Sequence, residues 1–127
     1  MSSKSLFFLR KNGKFLAASC LSLFMASGAM GAAKGDAGKG KALYAPCVQC
    51  HGAKGEGKPE STPAALRGPK LAGQHAWYLQ ESIAKYKNGQ RGADAKDTSG
   101  AIMKGMAGLL ANDQAIADVV AYIGTLK

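Results

Sequence analysis

An all-α domain, in which three main helices are joined by long loops wrapped around a large ligand, is what this sequence predicts. Two observations lead there. No stretch alternates apolar and polar residues long enough for a strand, while three segments carry apolar side chains at helical spacing. Two long irregular stretches, residues 52–74 and 90–101, hold much of the Gly, Pro and Thr of the region. Loops of that length count against a compact domain unless they serve or enclose something.

The first helix is expected over residues 37–46, with Asp36 as its cap and Leu43 and Tyr44 as its largest apolar side chains. The second is expected over 75–88, where Trp77, Leu79, Ile83, Ala84 and Tyr86 recur near helical spacing and Gly89 is a natural stop. The third has the clearest pattern. Asn112 or Asp113 can cap it, and Ile116, Val119, Val120 and Ile123 follow the i, i+3, i+4, i+7 stripe of a helix with one buried face. Three such helices bury little apolar surface by themselves, and a domain of this size is marginal without added support. A bulky apolar cofactor at the centre would supply the missing core.

The N-terminal third reads differently. Lys4, Arg10, Lys11 and Lys14 stand without any acid, an uncharged run follows over 15–33, and the run ends in Ala29, Met30, Gly31, Ala32 and Ala33. A basic start, an apolar middle and small residues at the end make a bacterial-type export signal, with cleavage expected after Gly31 or Ala33. The expected organisation is therefore a signal peptide at 1–33 and one domain at 34–127. The alternatives are an uncleaved anchor, since the run is just long enough to cross a ~30 Å hydrocarbon core, or a lipidated Cys20. Membrane association is expected only if the segment stays attached.

Length and charge narrow the function classes. At 127 residues a multi-domain machine is excluded. The chain has 17 basic and 8 acidic side chains. Residues 1–33 hold four of the basic ones and none of the acidic ones, which leaves a formal +5 on the exported part. A moderate surplus of this kind suits docking to acidic protein surfaces. It does not suit nucleic acid, because the lysines are scattered and no aromatic-basic motif accompanies them. The G-x-x-x-x-G-K pattern from Gly35 to Lys41 resembles a phosphate-binding loop, but Ala42 stands where Ser or Thr must hold Mg²⁺, and no strand precedes it.

Cys47, Val48, Gln49, Cys50 and His51 form C-x-x-C-H, the attachment signature of a c-type haem. On a helical turn the two thiols and the imidazole share one face. The thiols can form thioethers with the two haem vinyl groups while the imidazole of His51 takes the iron as proximal ligand. A thioredoxin-like dithiol would need a strand-to-helix setting. Structural zinc would need more ligands than His75, the only other histidine, can provide. A plain Cys47–Cys50 disulfide would leave the cofactor-sized gap in the core unexplained. For the sixth ligand, Met103 and Met106 lie just upstream of the last helix, and His75 is the imidazole alternative. A methionine ligand raises the reduction potential and closes the iron to substrate, which makes a carrier. A vacant sixth position would make a small haem peroxidase, and a fixed catalytic partner would make the chain a haem c subunit of a dehydrogenase or oxidase complex.

With these residues in view, the chain resembles the class I cytochromes c, most closely one domain of the cytochrome c4 group and its small single-haem relatives. Besides C-x-x-C-H, the resemblance rests on Gly68, Pro69, Lys70, Leu71, Ala72, Gly73 and Gln74, on the M-x-G-M pattern from Met103 to Met106, and on the run from Ile116 to Ile123. It implies a cytochrome c fold around one covalent haem c. It also implies that Met103 is the distal iron ligand, and that the carbonyl of Pro69 accepts a bond from the proximal imidazole. The first and last helices are expected to cross closely, with Gly38, Gly40 and Ala42 against Tyr122 and Ile123. The implied function is a periplasmic mono-haem electron carrier with no small-molecule substrate, passing one electron between redox protein partners of a respiratory or related chain. Lys54, Lys70 and Lys104 are candidates for steering those encounters. The c4 proteins carry two haem domains where this chain has one, and residues 90–101 match that group weakly.

Overall fold

The computed structural model describes residues 34–127, and the candidate export segment at 1–33 lies outside the described residues. Among the described residues all regular structure is helical: α1 (Ala37–Tyr44), α2 (Val48–His51), α3 (Ala76–Lys87), α4 (Thr98–Gly108) and α5 (Asp113–Ile123). Two single 3-10 turns, Ala45–Cys47 and Ala64–Leu66, complete the set. No described helix is long and apolar enough to cross a membrane.

The three expected helices are present. Asp36 caps α1 by accepting from Gly38 N at 2.8 Å and Lys39 N at 3.2 Å, and Asn112 caps α5 by accepting from Ala115 N at 2.9 Å. At the end of α3 the chain passes through Asn88 into Gly89, whose φ of 80° needs a residue without a Cβ. The helix α4 is an addition. It starts at Asp97, whose Oδ1 accepts from Gly100 N at 2.7 Å, and it spends Gly100, Gly105 and Gly108 in a helical run. Each glycine lowers helix propensity by ~1 kcal/mol relative to Ala, which hides α4 from a propensity reading. Tertiary packing restores it, with Ala107 1% exposed against the core.

Helix α1 crosses α5, and α3 packs on both α4 and α5. The stripe on α5 is buried as its spacing requires, with Ile116, Val119, Val120 and Ile123 joined by Tyr44, Leu79, Ile83 and Leu110 in one cluster. The close crossing is made by glycine, at the expected Gly40, which meets Tyr122 as well as Asp118, and at Gly35, which is not among the expected positions. A Cβ on Gly40 would overlap the carbonyl oxygen of Asp118, and one on Gly35 would overlap that of Ala117. Gly38 and Ala42 instead face solvent. Trp77 also departs from the expected stripe: it is 64% exposed and stacks on His75, with ring centroids 6.2 Å apart.

Asp118 locks the crossing. Its Oδ1 accepts from Asp36 N at 2.8 Å and from Gln114 Nε2 at 2.8 Å, and Gln114 also donates to Lys34 O at 3.1 Å. These donors, the Asp36 amide first, hold the Asp118 carboxyl below the usual carboxylate range. The glycines from 35 to 41 thus belong to a helix start packed on another helix, and the resemblance to a phosphate loop ends there.

Candidate functional site

The C-x-x-C-H segment is shaped by what flanks it. Helix α1 tightens into the Ala45–Cys47 turn, where Pro46 supplies a fixed φ and no donor, and the chain re-enters helix at Val48. Cys47 and Cys50 are half-buried free thiols, and His51 is 7% exposed. Burial pushes the Cys47 thiol up, and the neighbouring Cys50 adds to the shift against an opposing backbone hydrogen bond. The segment stops at Gly52, with φ 84° and ψ 156°.

The loop after Gly52 is tied back onto the segment by backbone bonds. Gly57 N donates to His51 O at 2.8 Å, Gly68 N donates to Cys50 O at 2.9 Å, and Leu71 N donates to Gly55 O at 2.8 Å. A further bond comes from the one fully buried phenol among the described residues, as Tyr44 OH donates to Gly52 O at 2.8 Å. Burial, followed by the nearby Cys47 and Glu56, pushes the Tyr44 hydroxyl up to about 12.

His51 Nδ1 lies 2.7 Å from Pro69 O. A carbonyl can only accept, so in the neutral ring Nδ1 carries the proton and the Nε2 lone pair is left for a metal. Gly68 makes this approach feasible, because a Cβ there would sit 2.8 Å from His51 Nδ1 and 2.7 Å from Cys50 O. The sequence signal for Gly68 is only its place beside Pro69, and nothing in the sequence marks Tyr44 as the anchor of Gly52.

One cavity of about 250 Å³ collects the candidate residues. Cys47, Cys50, His51 and Pro69 line it from one part of the chain, while Met103 and Met106 line it from α4. Its remaining wall is mainly aliphatic, including Leu43, Leu71, Leu79, Ile83, Leu110, Val119 and Ile123. His75 is not in the lining; it is exposed at the start of α3 beside Trp77. Of the two thioethers, Met103 packs against the buried core cluster. Both sit on the helix α4 rather than on a loop.

An apolar cavity with two thiols, one imidazole of fixed tautomer and thioethers from a separate helix has the donor set that a covalently attached iron porphyrin requires. Its chemistry fits such a group. The cytochrome c family matches residues 37–127, and the chain belongs to that family. Members of the family carry covalent haem c and transfer electrons, and this chain is accordingly a haem c electron carrier rather than an enzyme.

The relatives narrow this to class I cytochromes c related to the c4 group. Cytochrome c-554(548) of Halomonas halodenitrificans is 42% identical over 88 residues, covering 69% of this chain and 93% of that protein. Cytochrome c4 of Azotobacter vinelandii is 38% identical over 97 residues, 75% of this chain. The match takes in only 43% of the c4 protein, so the chain spans less than half of that relative's length.

Proposed function

We propose that this protein is an exported, periplasmic carrier with a single haem c, moving one electron at a time between redox protein partners. Cys47 and Cys50 would hold the haem by thioethers, His51 Nε2 would take the iron on one side, and Met103 Sδ would take it on the other. When bound, the haem would supply one-electron exchange at its iron. The chain's own contribution is to orient and to exclude. The Pro69 carbonyl holds the imidazole proton on Nδ1, Gly68 allows that contact, and the aliphatic wall keeps water from the metal.

The single observation that carries this reading is the convergence of Cys47, Cys50, His51 and Met103 on one apolar cavity, with the His51 tautomer set by a 2.7 Å contact. Met103 is preferred over Met106 because only Met103 packs against the buried core, which fixes its side chain at little further entropy cost. Export is supported by the composition of residues 1–33. Lys54, Lys70 and Lys104 are exposed and take part in no ion pair among the described residues. They suit encounters with acidic docking surfaces, whose rates fall as salt screens the attraction.

The direct test is the mass of the protein purified from an exporting host. The expected product lacks the first 31 or 33 residues and carries the mass of one haem that survives acid-acetone extraction. A bare polypeptide, or haem released by that extraction, would overturn the covalent site. An intact N-terminus would overturn cleavage.

A further inference from the structure

Helix α4 carries both thioethers that line the cavity, Met103 and Met106. Its own sequence holds it poorly. Gly100, Gly105 and Gly108 each weaken the helix relative to Ala, and a Cβ at Gly105 or Gly108 would meet nothing within 4 Å, so close packing requires neither of those two glycines. What keeps α4 seated therefore comes from its neighbours.

The C-terminal end of α4 is held in two ways. Ala107 and Leu110 belong to the buried cluster. The chain then leaves through Leu109 and Leu110, whose amides donate back to Met106 O at 3.1 Å and Ala107 O at 3.2 Å, while the Leu110 carbonyl accepts from Lys87 Nζ in the last turn of α3. Among the described residues this is the one side-chain hydrogen bond that ties residues 98–111 to another helix.

Lys87 is committed to that contact. It is half-buried, it takes part in no ion pair among the described residues, and it does not line the cavity. A half-buried ammonium without an acceptor is costly, so the Leu110 carbonyl and the C-terminal ends of α3 and α4, where helix dipoles favour a cation, are what hold it. Its neighbour Lys85 pairs instead with Glu81. Lys104 reaches the opposite way, with Nζ 3.7 Å from where a Cβ on Gly89 would stand, but it is exposed, where such a contact contributes little.

We propose that Lys87 is a positioning residue for the distal methionine: its bond to the Leu110 carbonyl holds the end of α4 against α3 and keeps the thioethers turned to the cavity. This role rests on the haem-carrier reading and adds to it the residue that keeps the iron closed. Lys87 touches neither thioether and acts through the backbone where α4 gives way to α5. Since Met103 and Met106 share that helix, either one as ligand depends on the same tie.

The test compares K87M, K87R, K41Q and Gly40→Ala as purified ferric holoproteins mixed with cyanide. Cyanide reaches the iron only after the methionine has left it, so the binding rate reads how often α4 opens. K87M keeps the aliphatic stem and removes the donor, and is expected to bind cyanide about tenfold faster, the scale of one lost hydrogen bond to a charged group. K87R keeps a donor and should recover part of the difference. K41Q removes an exposed lysine on α1, and Gly40→Ala loosens the α1–α5 crossing. Both should stay within about twofold of the parent, because distant sites act independently. An equal rise in Gly40→Ala would reduce the effect to general destabilisation and overturn the role, as would a K87M rate equal to that of K41Q.

A measurement on the unaltered protein covers the case in which K87M does not accumulate. Under brief treatment with acetic anhydride, Lys87 is expected to label at least about fivefold more slowly than Lys41, and to lose that protection once cyanide is bound. Equal labelling of the two lysines without cyanide would overturn the tie. Absence of covalent haem by mass would instead overturn the underlying carrier reading, so the two failures are distinct.

Discussion

The two halves of this small domain are held together by different means. Where α1 crosses α5, the contact is close: Gly35 and Gly40 let the backbones touch, Asp118 satisfies the donors of Asp36 and Gln114, and the Tyr44 and Tyr122 rings meet at 5.4 Å. Around the cavity the reverse holds. The two thiols are only half-buried, Ile102 and Leu109 are 37% and 64% exposed, and the helix α4 carries three glycines. One side is a finished protein core. The other is a wall built to face a cofactor, and its stability depends on that cofactor being attached.

Removing the attachment should therefore have the largest effect. The double variant C47A/C50A is expected to carry no covalent haem and to lose on the order of 5 kcal/mol, most of the stability of a domain this size. Mass and chemical denaturation read both outcomes. Retention of the parental midpoint would show that the cavity wall stands without its cofactor.

A pair of glycine variants separates the two regions. Gly40→Ala places a Cβ into the Asp118 carbonyl, and should cost about 2–3 kcal/mol while leaving the haem spectrum unchanged. Gly68→Ala places a Cβ 2.8 Å from His51 Nδ1. It should cost less, about 1–2 kcal/mol, yet move the reduction potential by loosening the Pro69 contact. Thermal unfolding and a redox titration of both variants would show whether the effects cross over. If Gly40→Ala moved the potential more, the two regions would not be separable.

The last expected effect is confined to alkaline pH. Tyr44 ties the regions together through Gly52, and its hydroxyl is raised to about 12 from an ordinary 10.0. The neutral phenol is thus favoured in the folded state. Its contribution is complete below pH ~10 and is lost as the pH rises toward the folded value, amounting to no more than about 2–3 kcal/mol. Tyr44→Phe should be flatter than the parent between pH 10 and 12 in denaturation midpoints. Parallel curves would remove Tyr44 from the alkaline response.

Much of this could be read from residues alone. The stripe from Ile116 to Ile123 and the caps Asp36 and Asn112 act locally, so spacing suffices to find them. C-x-x-C-H is also local, because its chemistry lies within five consecutive residues. The helix α4 was hidden because its glycines oppose helix formation and only packing against α3 compensates. Trp77 sits at helical spacing yet faces solvent, since periodicity cannot tell which side of a stripe's edge is covered. Gly35 as the partner of Ala117 and Lys87 as the partner of Leu110 are relations between distant segments, and Tyr44 reaches Gly52 only because the residues between them fold back through two tight turns. No one-dimensional pattern encodes them.

The most direct measurement is the near-infrared absorption of the ferric protein, where a methionine sulfur bound to iron gives a charge-transfer band. The parent should show that band, Met103→Ala should lack it, and Met106→Ala should keep it. Persistence of the band in Met103→Ala, or a five-coordinate ferric signal from the parent, would contradict an iron closed by His51 and Met103.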